Sequence, residues 1–174
     1  IIRYPEKYQH LSPAGAGGQV NSLINFVDLA PTMLSVTGCD VPENMQGKIF
    51  LGPQREEQEY TFAIRDRIDE VYEFVRNVSD DRYQYIRNFS NDKPRMQWSN
   101  YSEITPIRKE IRRLAALNQL NNQTGWLMQE TKPVEELYDL QNDPYQMNNL
   151  AGIPKYSAIQ KRLKEAIFDW MIET

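Results

Sequence analysis

A chain of 174 residues with 40% apolar side chains, including 10 Tyr, 6 Phe and 3 Trp, is long enough to bury about 70% of its extended surface and too aromatic to be disordered. Its 20 basic and 24 acidic residues leave a net charge of −4, which provides no long-range field to gather nucleic acid. A single cysteine, Cys39, excludes an internal disulfide and a thiolate metal cluster, and no apolar run approaches the roughly 18 residues of a membrane span.

The chain opens on Ile1-Ile2-Arg3-Tyr4-Pro5, without an initiator Met or a basic-then-apolar leader, and is expected to be an internal piece of a longer protein. Those β-branched and aromatic residues, stopped by proline, suit the end of a strand. Pro13 to Gly18 is a flexible loop. A helix follows, with Asp28 as N-cap, Pro31 in the first turn and Gly38 at the left-handed C′ position. Leu29, Met33 and Val36 line its apolar side, widened by Leu34. The polar connector Gln54 to Glu59 places a boundary near residue 55.

Beyond it Tyr60 to Ile64 reads as a strand, and Tyr72 to Val78 and Tyr83 to Phe89 read as a hairpin around Ser79-Asp80-Asp81-Arg82. Period-two alternation puts Arg76 on an otherwise apolar face, where it is expected to be a buried partner for one of the acids Asp66, Asp69 and Glu70. Thr105 as N-cap and Pro106 at N1 open a helix with Ile107, Ile111, Leu114 and Ala115 on one side. Arg108, Lys109, Arg112 and Arg113 form a basic side, read as solvated. Val134 to Leu140 is the last strand. Ser157 caps a final helix whose Ile159, Leu163, Ala166, Ile167, Trp170 and Met171 recur at core spacing. Asn77, Asn88, Asn100 and Asn122 each stand in an Asn-x-Ser/Thr pattern, which bears on function only in a eukaryotic secretory setting.

Taken in order, Ile2-Arg3-Tyr4-Pro5, Asp28-Leu29-Ala30-Pro31-Thr32 to Gly38, Met45-Gln46-Gly47-Lys48, Arg65-Asp66-Arg67-Ile68-Asp69-Glu70, Val75-Arg76, Arg82 to Asn88, and Glu136-Leu137-Tyr138-Asp139-Leu140 with Asp143-Pro144 and Asn149-Leu150 resemble the carboxyl-terminal part of the type I sulfatases of the alkaline-phosphatase-like superfamily. The segment 65–70 is most similar to the heparan N-sulfatase (sulfamidase) and related glycan sulfatases. The resemblance implies an α+β fold: a small four-stranded antiparallel sheet packed by a carboxyl-terminal helix (residues 56–174), preceded by a strand-loop-helix remnant of the large α/β catalytic domain (residues 1–55). It implies as partners a missing amino-terminal α/β domain and a sulfated carbohydrate, with neither nucleic acid nor membrane, and a periplasmic, secreted or lysosomal location. Self-association of the fragment through its uncovered face is a further expectation.

Sulfatases of this type resemble one another in using formylglycine, made from a Cys/Ser-x-Pro-x-Arg motif, beside a calcium ion. Here Cys39 is followed by Asp40-Val41-Pro42-Glu43, with proline one place late and no arginine. The chain is therefore expected to lack catalytic and metal residues, and both groups are expected in the missing amino-terminal part. A half-buried inert thiol is the expectation for Cys39, a surface imidazole for His10, and capping roles for Asp139, Asn142 and Asp143. Arg65, Arg67, Asp69 and Glu70, expected on a loop after the Tyr60 to Ile64 strand, are the candidate substrate-binding residues. Arginine donors suit sulfate or carboxylate and acids suit sugar hydroxyls; the alternative is that these charges, with Asp66, pair among themselves at the surface. Two other readings are open: the closing part of a phosphate or phosphonate ester hydrolase of the same superfamily, and a stand-alone module binding glycan or protein.

Overall fold

The computed structural model describes residues 2–122 and 124–174. They form two compact units, one ending at Thr61 and one running from Phe62 to Thr174.

In the first unit, helix α1 (Leu29–Thr37) stops at Gly38, whose φ of 76° is the left-handed C′ geometry expected. Asp28 is not its capping side chain. It lies in a 3-10 turn, Phe26–Asp28, and its carboxylate accepts the Asn25 and Lys48 amides (2.6 and 2.9 Å) and Gln58 Nε2 (2.8 Å). This buried acid thus ties three segments together, which a local capping pattern does not reveal. Gly47 is required here, since a Cβ would stand 2.1 Å from the Val27 carbonyl oxygen. The expected strand at the start is absent: Ile2 to Pro5 carry no strand pairing, and Ile1 lies outside the described residues. The stripe expected to be core faces outward, with Leu29 and Met33 exposed beside Val27 and Phe26, the last 91% exposed.

The second unit is built on a four-stranded antiparallel sheet in the order β1-β2-β3-β4: β1 Thr61–Ile68, β2 Val71–Ser79, β3 Tyr83–Asn88 and β4 Glu135–Asp139. The first strand is longer than its apolar start suggests. Arg65, Asp66 and Arg67 belong to β1 rather than to a loop, and the turn falls at Asp69-Glu70. In-register pairing places Val78, Tyr85 and Leu137 in one row across three strands, and all three are fully buried with Leu163 and Ile167 of α4 (Ser157–Glu173). Each aliphatic member of the set contributes about 1.5–3 kcal/mol of burial. Around this row, Phe62 stacks on Trp170 and Phe89 meets Phe168 edge-on. Glu135 accepts from Lys164 (2.6 Å) and from Gln160 (2.5 Å). Arg76 has its acidic partner, Asp66, at 2.5 Å, and its side chain is largely buried. Ser157 is inside α4 rather than its cap, because a 3-10 turn, Pro154–Tyr156, leads into the helix.

The opposite face of the sheet is polar yet buried. Glu73, Asn88 and Glu136 point into it and are covered by the connection 89–134, which carries α2 (Asn100–Glu103) and α3 (Pro106–Ala116). Lys132 ion-pairs with Glu73, which also accepts from Gln97. Glu136 takes Arg95 (2.6 Å), Asn88 Nδ2 (2.5 Å) and the Tyr138 hydroxyl. Expectations for α3 change accordingly. Arg108 and Arg112 are not solvated but converge on buried Glu103 (3.0 and 2.6 Å), leaving Lys109 and Arg113 exposed. Ile107, placed on the core side, is 73% exposed. Thr105 holds the expected N-cap position with Pro106 following, but its Oγ1 donates to the Ser102 carbonyl (2.8 Å) rather than accepting a helix amide.

Carboxylates also fix the turns. Asp80 Oδ1 accepts the Arg82 and Tyr83 amides (2.8 and 2.5 Å) and Asp80 Oδ2 holds Arg162 of α4. Asp139 receives Arg82 (2.7 Å) and Asn142 (2.8 Å). The Arg82 bond chiefly holds Asp139 far below the usual carboxylate range. For Asp80 burial pushes upward, but the Tyr83 amide and Arg162 outweigh it; for Glu135 burial is likewise outweighed, by Lys164 and Gln160. Carboxylates lowered on folding contribute stability in full above their ordinary pKa near 4, and lose it as pH falls through the folded values. The melting temperature of the protein should therefore drop steeply below about pH 4. Asp139→Asn should lower it at neutral pH and flatten the acid limb; an acid limb of unchanged steepness in that variant would contradict the assignment.

Candidate functional site

The four predicted site residues cluster at the tip of the β1–β2 hairpin, but their side chains do different work. Asp69 adopts φ 52°, a left-handed conformation that aspartate tolerates better than most residues, and this reverses the chain. Glu70 reaches away from the tip, and its Oε1 accepts the Asn100 amide at 2.5 Å, at the start of α2 where amides lack helical partners. That bond chiefly lowers the Glu70 pKa. Ser99 caps the same helix through the Ser102 amide. Arg67 donates Nε to the Asp69 carbonyl (2.7 Å) and lies over the Tyr72 ring, 4.8 Å from its centroid. Arg67 is exposed. The Arg65 side chain, also exposed, has no hydrogen-bond or ion-pair partner among the described residues. Asp66 is taken by Arg76, so the cluster does not neutralise itself by mutual pairing.

Beside the tip lies the segment Met96–Tyr101, which residue-by-residue reading of charge missed. β3 pairs with β2 from Val75 onward, with one further bond from the Phe89 amide to the Phe74 carbonyl. The free Tyr72 carbonyl is instead taken by Gln97 Nε2 (3.2 Å) and Lys93 Nζ (3.3 Å). Arg112 and Arg108 donate to the carbonyls of Met96 and Gln97 (both 3.1 Å) while they satisfy Glu103. Arg112 foremost keeps Glu103 below its usual pKa. Two aromatics in a short polar run, Gln97-Trp98-Ser99-Asn100-Tyr101, were the available signal. The arrangement offers cationic donors, an acid and aromatic rings, which suits binding of an anionic, hydroxyl-rich ligand.

The other candidates resolve as follows. Cys39 is exposed rather than half-buried. His10 is exposed in a 3-10 turn, Glu6–Leu11, and lines an open cleft with Ser35, Gln54 and Arg55. Asp143 accepts the Met147 and Asn148 amides (3.0 and 2.7 Å). Among the described residues no group of three His, Cys, Asp or Glu side chains is placed to hold a metal ion.

An antiparallel sheet covered by one long helix on its apolar face and by a helical connection on its polar face defines the fold class. It aligns with a putative sulfatase from Bacteroides thetaiotaomicron VPI-5482 (TM-score 0.55, 22% identity, covering 84% of this chain and 24% of that one). A 2-O GAG sulfatase aligns with the same figures. In sequence the chain is 36% identical over 98% of its length to an ulvan-active sulfatase of Formosa agariphila. A second ulvan-active sulfatase of that organism is 32% identical over 89%. The chain spans 28% and 30% of the length of these two relatives. No family model matches it. The relatives bear out the resemblance to the carboxyl-terminal part of the sulfatases.

If Glu70 is the outer cap of α2, Glu70→Ala should speed hydrogen exchange at the Asn100 and Tyr101 amides while leaving β3 and β4 amides protected, as read by exchange mass spectrometry or NMR. Unchanged exchange at Asn100 would remove Glu70 from that role.

Proposed function

We propose that this chain is the carboxyl-terminal part of a sulfatase that removes sulfate from a sulfated glycan, and that the hairpin tip contributes to holding the sugar. The observation that carries the reading is end-to-end similarity to an ulvan-active sulfatase, over 98% of this chain but 28% of that protein. The remainder of such a polypeptide would supply the formylglycine, the calcium and the α/β domain. The exposed apolar surface of Phe26, Val27, Leu29 and Met33 supports a further covering segment, since patches of this kind on soluble proteins mark interaction sites. A periplasmic or extracellular setting suits a polymeric substrate, and no described helix is long and apolar enough to cross a membrane.

Within the tip, Arg65 and Arg67 present donors to sulfate or carboxylate groups and Asp69 accepts from sugar hydroxyls, while Glu70 serves by holding Asn100. Contacts remote from the reacting bond are useful to catalysis when they are converted into transition-state stabilisation. The matched relatives are sulfatases, which gives no support to the phosphate-ester or stand-alone alternatives.

The full polypeptide carrying this chain should release sulfate from a sulfated polysaccharide. Arg65→Ala combined with Arg67→Ala should lower kcat/KM for that polymer by about tenfold or more, with little change in thermal stability, because exposed charges contribute little to folding. Release of phosphate from phosphate esters without any sulfate release would overturn the reading, and an unchanged kcat/KM in the double variant would remove the arginines from substrate binding.

A further inference from the structure

Trp98 is 61% exposed, yet its indole is fixed from two directions. Nε1–H donates to Asn100 Oδ1 at 3.2 Å, and the Arg112 guanidinium lies 5.1 Å from the ring centroid. Arg112 is itself immobilised by two bonds to Glu103 (2.6 and 2.7 Å) and one to the Met96 carbonyl. An exposed tryptophan that merely covered apolar neighbours would not need such a frame. This one presents a large ring to the outside with its polar N–H already satisfied. The other two tryptophans are built differently: Trp126 lies under Arg95, and Trp170 is stacked on Phe62, and both are partly buried.

The surroundings of the ring supply the rest of a recognition surface. Tyr101 is 74% exposed and Tyr72 more than half exposed. The hairpin tip, which carries Arg65 and Arg67, is joined to this segment by the Glu70–Asn100 and Gln97–Tyr72 bonds, and Lys93 Nζ shares the Tyr72 carbonyl with Gln97. An aromatic face receives the apolar C–H face of a pyranose, and neighbouring cations receive its sulfate or carboxylate groups. A purely apolar partner would leave these three cations desolvated without counter-charge.

We infer that Trp98 is a stacking platform for a sugar ring of a sulfated glycan chain, with Tyr101 beside it and Arg65, Arg67 and Lys93 supplying the charge complement. This rests on the glycan-sulfatase reading above but adds a residue and a contact type to it. It places a ring of the polymer on 97–101 in addition to the groups held by the hairpin tip.

The test uses the full polypeptide, with heparin and ulvan oligosaccharides as probes and unsulfated dextran as the control. Acrylamide quenching of tryptophan fluorescence should fall when a sulfated oligosaccharide is added and stay unchanged with dextran. Trp98→Ala should abolish that protection, weaken oligosaccharide binding by about tenfold, and be largely rescued by Trp98→Tyr. Two results would overturn the proposal: full affinity for both oligosaccharides in Trp98→Ala, or a Trp98 already shielded from acrylamide before any glycan is added, which would assign its cover to the rest of the polypeptide. Absence of sulfate-ester turnover in the wild type would sink the sulfatase reading instead, and the binding comparison would still decide the platform.

Discussion

Burying a carboxylate without a partner costs several kcal/mol, and in this sheet two of them, Glu73 and Glu136, are buried on the face away from α4. That constraint organises the second unit. A hydrophobic face would have accepted any apolar cover, whereas Glu73 requires Lys132 and Glu136 requires Arg95 at particular places. Because both cations come from the connection 89–134, satisfying them dictates how that connection crosses the sheet. The pairs are better regarded as a device for specificity than as a source of net stability, since the desolvation of both charges offsets much of their attraction.

The consequence reaches the candidate site through Gln97. Its side chain bonds both Glu73 and the Tyr72 carbonyl, so the residue next to Trp98 is fixed by the same buried acid that holds Lys132. From there Glu103, Arg108 and Arg112 repeat the device on a smaller scale, clamping the Met96 and Gln97 carbonyls. An extended, mostly polar segment is thereby held rigidly enough to expose Trp98 and Tyr101 at defined positions. Rigid presentation matters for binding because groups already ordered lose less entropy when a ligand arrives.

Much of this was legible in the residues. The strand alternation from Tyr72 to Phe89, the apolar spacing of the last helix and the Gly38 stop each follow from local stereochemistry, and the expected acidic partner of Arg76 is present as Asp66. What was not legible depends on long-range pairing. Arg65 to Ile68 read as a charged loop because β1 is an exposed strand, where side-chain polarity carries no burial signal. The basic side of α3 read as solvated because Glu103 is brought beneath it by the separate short helix α2. Leu29 and Met33 read correctly as an apolar stripe but are uncovered here. Trp98 drew no notice since aromatics are ordinarily core, and its exposure follows from the clamp on its neighbours rather than from its own surroundings.

The most direct test of this ordering is hydrogen exchange in a Lys132→Met variant, which leaves Glu73 buried without its cation at a cost of about 3–5 kcal/mol. If the buried acids position the connection, protection should fall together at residues 96–112 and at the hairpin turn, while the Tyr85 and Leu137 amides in the sheet core retain theirs longest. Loss of protection confined to the immediate neighbours of residue 132, with 96–112 unaffected, would contradict the account.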